Sequence, residues 1–328
     1  MRPFEFASPQ KADQVSSLLG KQWGEVEVLA GGTDLLSLMK DDVTTPKRLV
    51  NIKSIAELHG ISPMHAQGMR IGALTTLAEI AENADVQKQF PALATAAGDA
   101  ASPQIRNLAT IGGNLCQRPR CWYFRSGFGL LAQGKDGNSY VLKGDNRYHA
   151  ILGNTGPAYF VSPSTIAPVL IAYDAKVEIL GPKGARTVAA EKFFVIPKNE
   201  ADREHDLKPN EIVTAVVLSP ATGVHAAAYE VRQKEAFDWP YATAAVALTM
   251  NGNTVQSARV VMGHVAPIPW VSPEAAQVLA GKSISLEIAE QAGAAAVAEA
   301  KSLGHNEQKI HLARVAVKRA LLKAGGVA

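Results

Sequence analysis

The sequence predicts an α+β chain of two domains, a larger one over residues 1–222 and a smaller α+β one over residues 223–328. Three observations predict it. The chain has 328 residues, where an ordinary domain takes roughly 150. Up to Leu218, short strand-like apolar runs alternate with segments of helical period. The turn-rich run Ser219-Pro220-Ala221-Thr222-Gly223 then breaks the chain, and a different pattern follows it.

Within the larger domain, residues up to about 57 read as one α/β unit. Lys11 to Leu19 is helical, opened by Ser8-Pro9 as a cap followed by proline in the first turn. Val26 to Ala30 is strand-like, and Gly31-Gly32-Thr33-Asp34 interrupts it. Leu35, Leu38 and Met39 then recur at helical spacing, and Leu49 to Ile52 is a further strand. The second unit covers residues 58–222. Met69 to Ala73 alternates as a strand does, Leu77 to Ala84 and Leu93 to Ala101 are helical, and Val177 to Leu180 and Ile212 to Leu218 close the unit as strands. In the smaller domain, Ala242 to Met250 and Thr254 to Gly263 are strands joined by Asn251-Gly252, a strong hairpin signal. Ser272-Pro273 opens one helix, and Ser285 to Ser302 and Gln308 to Ala324 form two longer ones, Ala-rich and suited to scaffolding.

Composition excludes several function classes. Apolar residues make up 47% and charged residues 19%, enough for a sizeable core. A net charge of +3, from 33 Lys+Arg against 30 Asp+Glu, lacks the basic footprint of a nucleic-acid binder. No apolar run approaches the ~18 residues of a membrane helix, so membrane insertion is not expected. The N-terminal stretch lacks the apolar segment of a secretory signal. Two cysteines, Cys116 and Cys121, cannot staple a chain this long. The eight histidines are scattered, and no nucleophilic triad can be argued from spacing, so no catalytic side chain is assigned.

The informative segments are two double-glycine loops. In Leu29-Ala30-Gly31-Gly32-Thr33-Asp34-Leu35-Leu36 a strand ends, two glycines follow and a helix starts. Without Cβ the backbone reaches positive φ and comes close to a ligand. Successive N–H groups and the new helix then favour an anion, with pyrophosphate the natural occupant. Asp34 is expected to point away from it, capping the helix. The second loop, Thr110-Ile111-Gly112-Gly113-Asn114, repeats the adjacent glycines between apolar flanks. Either loop alone is more readily a plain tight turn. Neither matches a P-loop or the G-x-G-x-x-G dinucleotide fingerprint.

The pair AGGTDLL (30–36) and IRNLATIGGN (105–114), with Ala258-Arg259-Val260-Val261-Met262-Gly263-His264-Val265-Ala266-Pro267, resembles the FAD-binding medium subunit of molybdenum hydroxylases. That family includes xanthine dehydrogenase, aldehyde oxidoreductase and carbon monoxide dehydrogenase. The resemblance implies a two-part FAD-binding region of the vanillyl-alcohol oxidase type, followed by a smaller α+β domain. It places Leu29, Ala30, Gly31, Gly32, Thr33, Asp34, Leu35 and Leu36 at the FAD diphosphate. Thr110, Gly112, Gly113 and Asn114 form the other side of the cradle, with Gln104 near it and Arg120 either balancing phosphate charge or pairing with a partner subunit. Relatives often carry Asp where this chain has Thr165, so a carboxylate contact is lost there. In the segment Arg232 to Pro240, Lys234 either sets a positive charge near the flavin or is a solvated lysine before a strand. The segment Cys116 to Arg125 resembles a branch whose inserted loop holds a [4Fe–4S] cluster. Such a cluster needs four thiolates and this chain has two cysteines, so the loop is expected without it. With His149 distant in sequence the pair is also a poor zinc site.

The resemblance further implies partners: a small subunit with two [2Fe–2S] clusters and a large subunit with the molybdenum cofactor. Electrons would pass through FAD to NAD+ or another acceptor. The compartment is by default the cytoplasm, or the periplasm where a partner carries an export signal. Two other readings stay open: a self-contained FAD oxidoreductase of this fold, and a non-catalytic binding protein.

Overall fold

The structure, a computed structural model, describes residues 1–64, 68–234 and 237–327. Three sheets organise it. The first is parallel and three-stranded: β1 (Glu5–Ala7), β2 (Val26–Leu29) and β3 (Arg48–Asn51), in the order β1-β3-β2. Parallel neighbours need crossovers, and the helices Ala12–Leu18 and Leu35–Lys40 supply them. The first helix starts later than Ser8-Pro9 suggests. The Ser8 hydroxyl accepts from Asn51 Nδ2 at 3.1 Å, and Gln14 Oε1 accepts the N–H groups of Gln10 and Lys11. β1 has no pattern of its own; its pairing with β3 makes it a strand.

The second sheet is antiparallel: β4 (Ile61–Pro63), β5 (Met69–Gly72), β6 (Lys176–Gly181), β7 (Gly184–Ala189) and β8 (Ile212–Leu218), in the order β4-β5-β8-β6-β7. β8 is central and mostly buried, which explains its continuous apolar run. The connection from β5 to β6 carries helices that include Pro91–Asp99 and Ile111–Cys116, then an inserted stretch (117–166) whose helices among the described residues are the single turns Trp122–Arg125 and Tyr140–Lys143, and last the helix Ala167–Ala172. That stretch has its own small core, in which Phe124, Leu130, Leu131, Ala158 and Phe160 close around Leu38 of the first unit.

The third sheet holds β9 (Val224–Val231), β10 (Ala242–Asn251), β11 (Thr254–Gly263) and β12 (Trp270–Val271), antiparallel in the order β12-β11-β10-β9. Gly252 turns the β10–β11 hairpin at φ 57°. Ser272 accepts the N–H of Ala275 and caps the helix Pro273–Leu279. That helix, Leu286–Ala296 and Gln308–Ala324 cover one face, where Leu248 and Val260 meet Ala313, Val317 and Leu321. The other face turns toward the second sheet and its helices: Ala245, Ala247 and Val261 share a core with Phe90, Leu93 and Val216. β10 is buried on both sides for this reason. The helix expected to run to Ser302 stops at Ala296, because the chain beyond is drawn to the inserted stretch: Lys301 N–H donates to the Ile151 carbonyl.

Candidate functional site

Both double-glycine loops open on one cavity of about 420 Å³, within the ~300–1,000 Å³ of small-molecule sites. The first loop follows β2, the second caps the helix Ile111–Cys116, and the two touch. Gly31 lies so close to the Leu108 carbonyl that a Cβ there would overlap it. Gly32 is at φ 76°, a left-handed conformation that glycine adopts without strain. A Cβ on Gly32 would face the Leu29 and Leu36 side chains, not the cavity, so its backbone angle is what requires glycine.

The two loops do different work. Among the described residues, the N–H groups of Gly31, Gly32, Thr33 and Asp34 find no acceptor in the protein. Four consecutive unspent donors around a left-handed glycine form an anion nest. The second loop has spent its donors. Ile111 and Gly112 donate to the Thr75 and Ala73 carbonyls, Gly113 to Thr110 Oγ1, and Asn114 to the Thr110 carbonyl. It contributes shape. A Cβ on Gly113 would meet only Thr110 Oγ1 within 4 Å. Asn114 is held by Ser164 Oγ, which donates to its Oδ1 at 2.7 Å, and its Nδ2 donates to Thr165 Oγ1 at 3.4 Å.

Asp34 does point away from the nest, but it makes no side-chain cap. Its carboxylate binds Arg120 at 2.5 Å and Arg125 at 2.6 Å, and accepts the Arg118 N–H at 2.9 Å. One carboxylate therefore ties the first loop to the 118–125 stretch. Burial pulls Arg120 below its usual range, with the nearby Arg125 adding to it and Asp34 opposing. The Arg120 guanidinium also stacks over Trp239, 4.9 Å from the ring centroid, and both line the cavity.

Of the residues singled out by sequence, Ala30, Gly31, Gly32, Thr33, Asp34, Leu35, Thr110, Gly112, Gly113, Asn114, Arg120 and Thr165 line the cavity. Four stand outside its lining. Leu29 is buried behind the loop, while Leu36 and Gln104 are exposed. Lys234 is exposed too, although Phe237, Asp238, Trp239 and Pro240 of the same segment do reach the cavity. Glu235 and Ala236 of that segment lie outside the described residues.

The lining also includes a charged wall that sequence reasoning missed. Arg203 pairs with Glu27 at 3.1 Å and stacks on Trp23, and Arg118 pairs with Glu204 at 3.0 Å. Burial lowers Arg203 to about 10 and, with both arginines nearby, holds His205 neutral at about 3. Burial raises the Glu27 carboxyl. These residues are scattered over strand, loop and insert, and no local motif announces them. Glu230 and Arg232 line the cavity as well; here a signal existed, a carboxylate closing the alternating run Ala226, Ala228, Glu230.

Cys116 also lines the cavity, and burial pushes its thiol to about 12. Cys121 Sγ lies 3.1 Å from His149 Nε2, a contact that separation in sequence concealed. Among the described residues no group of three or more His, Cys, Asp and Glu side chains gathers as a metal site. No described helix is long and apolar enough to cross a membrane.

Two family models match the chain: the FAD binding domain in molybdopterin dehydrogenase over residues 2–221, and the CO dehydrogenase flavoprotein C-terminal domain over residues 227–324. The aldehyde oxidoreductase FAD-binding subunit PaoB of Escherichia coli is 33% identical over 244 residues, 74% of this chain and 75% of that one. The carbon monoxide dehydrogenase medium chain of Hydrogenophaga pseudoflava is 30% identical over 322 residues, 97% of this chain and 96% of that one. A solved structure of carbon monoxide dehydrogenase from the same organism superposes with a TM-score of 0.78 at 29% identity, covering 100% of both chains. The chain therefore belongs to the FAD-binding medium-chain subunits of the molybdenum hydroxylases, the broad family of the carbon monoxide, xanthine and aldehyde oxidoreductases.

Proposed function

We propose that this chain is the electron-relay subunit of a molybdenum hydroxylase, with residues 1–222 holding FAD and residues 223–328 closing the site. The observation that carries this reading is the pair of loops on one cavity, one with its N–H donors unspent and the other with room left by a missing Cβ. That cradle fits a diphosphate. The chemistry FAD supplies when bound is the transfer of electrons from the [2Fe–2S] clusters of a small subunit to NAD+ or another acceptor. A large subunit would hold the molybdenum cofactor and the substrate.

The chain's own residues bind, orient and shield. The N–H groups of residues 31–34 receive the diphosphate charge, and Arg120, held by Asp34, offsets it from the side. Gly113 leaves the opposite wall open. Thr165 hydrogen-bonds but adds no charge, so the balance there is less negative than a carboxylate would make it. Trp239, stacked against Arg120, adds an aromatic face to the cavity lining. A bound flavin carries its own redox chemistry, so this reading asks for no acid–base pair from the chain. A cytoplasmic location goes with this reading unless a partner carries an export signal.

The test is the visible spectrum of the purified chain and assay with and without partners. The expected result is an oxidised-flavin spectrum, FAD released on denaturation, and acceptor reduction only when the partner subunits are added. A colourless chain that takes up no FAD would point to the binding-protein reading. Substrate turnover by the chain alone would point to a self-contained oxidoreductase.

A further inference from the structure

Glu230 sits at the far end of β9 from the turn that precedes it. Alternation along this strand sends Ala227 and Val231 to the helix-covered face and Ala226 and Ala228 to the shared core. Glu230 follows the second set, away from the helix Gln308–Ala324, and lines the cavity. Its side chain is only 8% exposed. Among the described residues its ion-pair partner is Arg232, whose Nε lies 3.3 Å away. Arg232 is shared, since its Nη1 donates to the Asp99 carbonyl at 2.9 Å. The Asp99 carboxylate, at the end of the helix Pro91–Asp99, repels a charge on Glu230. β10 brings the uncharged Thr243 opposite it. A sealed carboxyl with one divided cation partner and a neighbouring carboxylate is poised between its two protonation states.

We propose that Glu230 is the proton-holding group of the cofactor cavity, taking up a proton from solvent when FAD fills the site. The inference rests on the FAD reading above. Before binding, burial already raises this carboxyl to about 7, with Arg232 opposing and Asp99 reinforcing. Filling the cavity removes the remaining water and brings a dianionic diphosphate into the same enclosure. Both changes disfavour a carboxylate, so both draw a proton onto Glu230. The balance is simple: one proton leaves solvent and one carboxylate becomes a carboxylic acid, with no bond to the cofactor formed or broken. The uncharged acid can then donate a hydrogen bond to the bound molecule.

The sign follows. Below the pKa of the empty site Glu230 is already protonated and binding costs no proton. Above it, each binding event must take one up, so affinity falls as pH rises through about 7. The experiment strips the full chain of FAD and titrates it back between about pH 6 and pH 8, following flavin fluorescence. The expected dissociation constant rises roughly fivefold to tenfold over that range. Glu230→Gln should bind FAD with the acid-limit affinity throughout, with a flat profile. Glu27→Gln is the control, because Glu27 is the other raised carboxyl that lines the cavity among the described residues. A profile flattened by Glu27→Gln and not by Glu230→Gln overturns the proposal. Calorimetry of the unaltered chain near pH 7.5, in two buffers of different ionisation enthalpy, keeps the test independent of how the variants fold. Net proton uptake is expected, and its absence overturns the proposal while leaving the FAD reading intact. Failure to bind FAD at any pH overturns both.

Discussion

Gly31 has no room for a methyl group, because the Leu108 carbonyl occupies the space. Gly31→Ala is therefore expected to cost about 1–3 kcal/mol or more through overpacking between two loops, read by thermal denaturation. Gly113 differs. A larger side chain there crowds only Thr110 Oγ1 and then fills the cavity. Gly113→Val should keep its circular dichroism spectrum and lose most of its flavin, read as the visible-to-ultraviolet absorbance ratio. If Gly113→Val purifies as yellow as the parent, the cradle lies elsewhere. The sequence showed that paired glycines mark close approach, but not what approaches. At Gly31 the neighbour is the second loop's own backbone, brought near only by folding. At Gly32 the sequence suggested positive φ and ligand approach together; the structure gives the positive φ, with the missing Cβ facing Leu29 and Leu36. The charged wall was illegible for a related reason. Arg203 and Glu27 are far apart in sequence, and nothing local requires them to meet.

The 118–125 stretch is an element that local propensity leaves undefined. It has one turn of helix, Trp122–Arg125, and is fixed by ion pairs. Asp34 is its anchor, since Arg120 and Arg125 converge on that one carboxylate from a half-buried position. Asp34→Asn would leave two partly desolvated guanidinium groups without a counter-charge. The expected loss is about 1–3 kcal/mol, together with faster proteolytic nicking between residues 117 and 127. Unchanged stability and unchanged nicking would mean that the packing of Phe124 alone holds the stretch. Periodicity made the long elements legible: β5, β8, the β10–β11 hairpin and the helix Gln308–Ala324 lie where the apolar pattern puts them. It missed β1, β4, β7, β9 and β12. β9 reads VHAAAYEV, with small residues on both faces, because it is wedged between two cores and needs close approach more than bulk.

At the scale of the whole molecule, the inserted stretch and the C-terminal helices meet at a buried lysine that no motif flags. Lys309, on the helix Gln308–Ala324, is 1% exposed, and its Nζ donates to the Tyr148 carbonyl at 2.9 Å. Burial lowers it from 10.5 to about 7, and its charge helps keep His149 and His264 neutral. Two effects compete at this junction. The hydrogen bond from a charged group contributes roughly 1.5–3 kcal/mol. Holding the amine in an environment that lowers it this far costs on the order of 5 kcal/mol below pH 7. The cost is the larger, so Lys309→Met should melt a few degrees higher than the parent at neutral pH. The pH dependence separates this from a simple packing gain. The group is a base whose folded pKa is depressed, so between about 7 and 10.5 the unfolded chain binds more protons than the folded one. Stability of the parent must then rise with pH across that window, and the penalty is fully present below it. Lys309→Met should lose that rise. Melting temperatures measured from neutral to alkaline pH for both chains decide the matter. If the variant melts lower at pH 7 and keeps the parent's slope, the ammonium is a needed tie between insert and helix, and its hydrogen bond outweighs its burial.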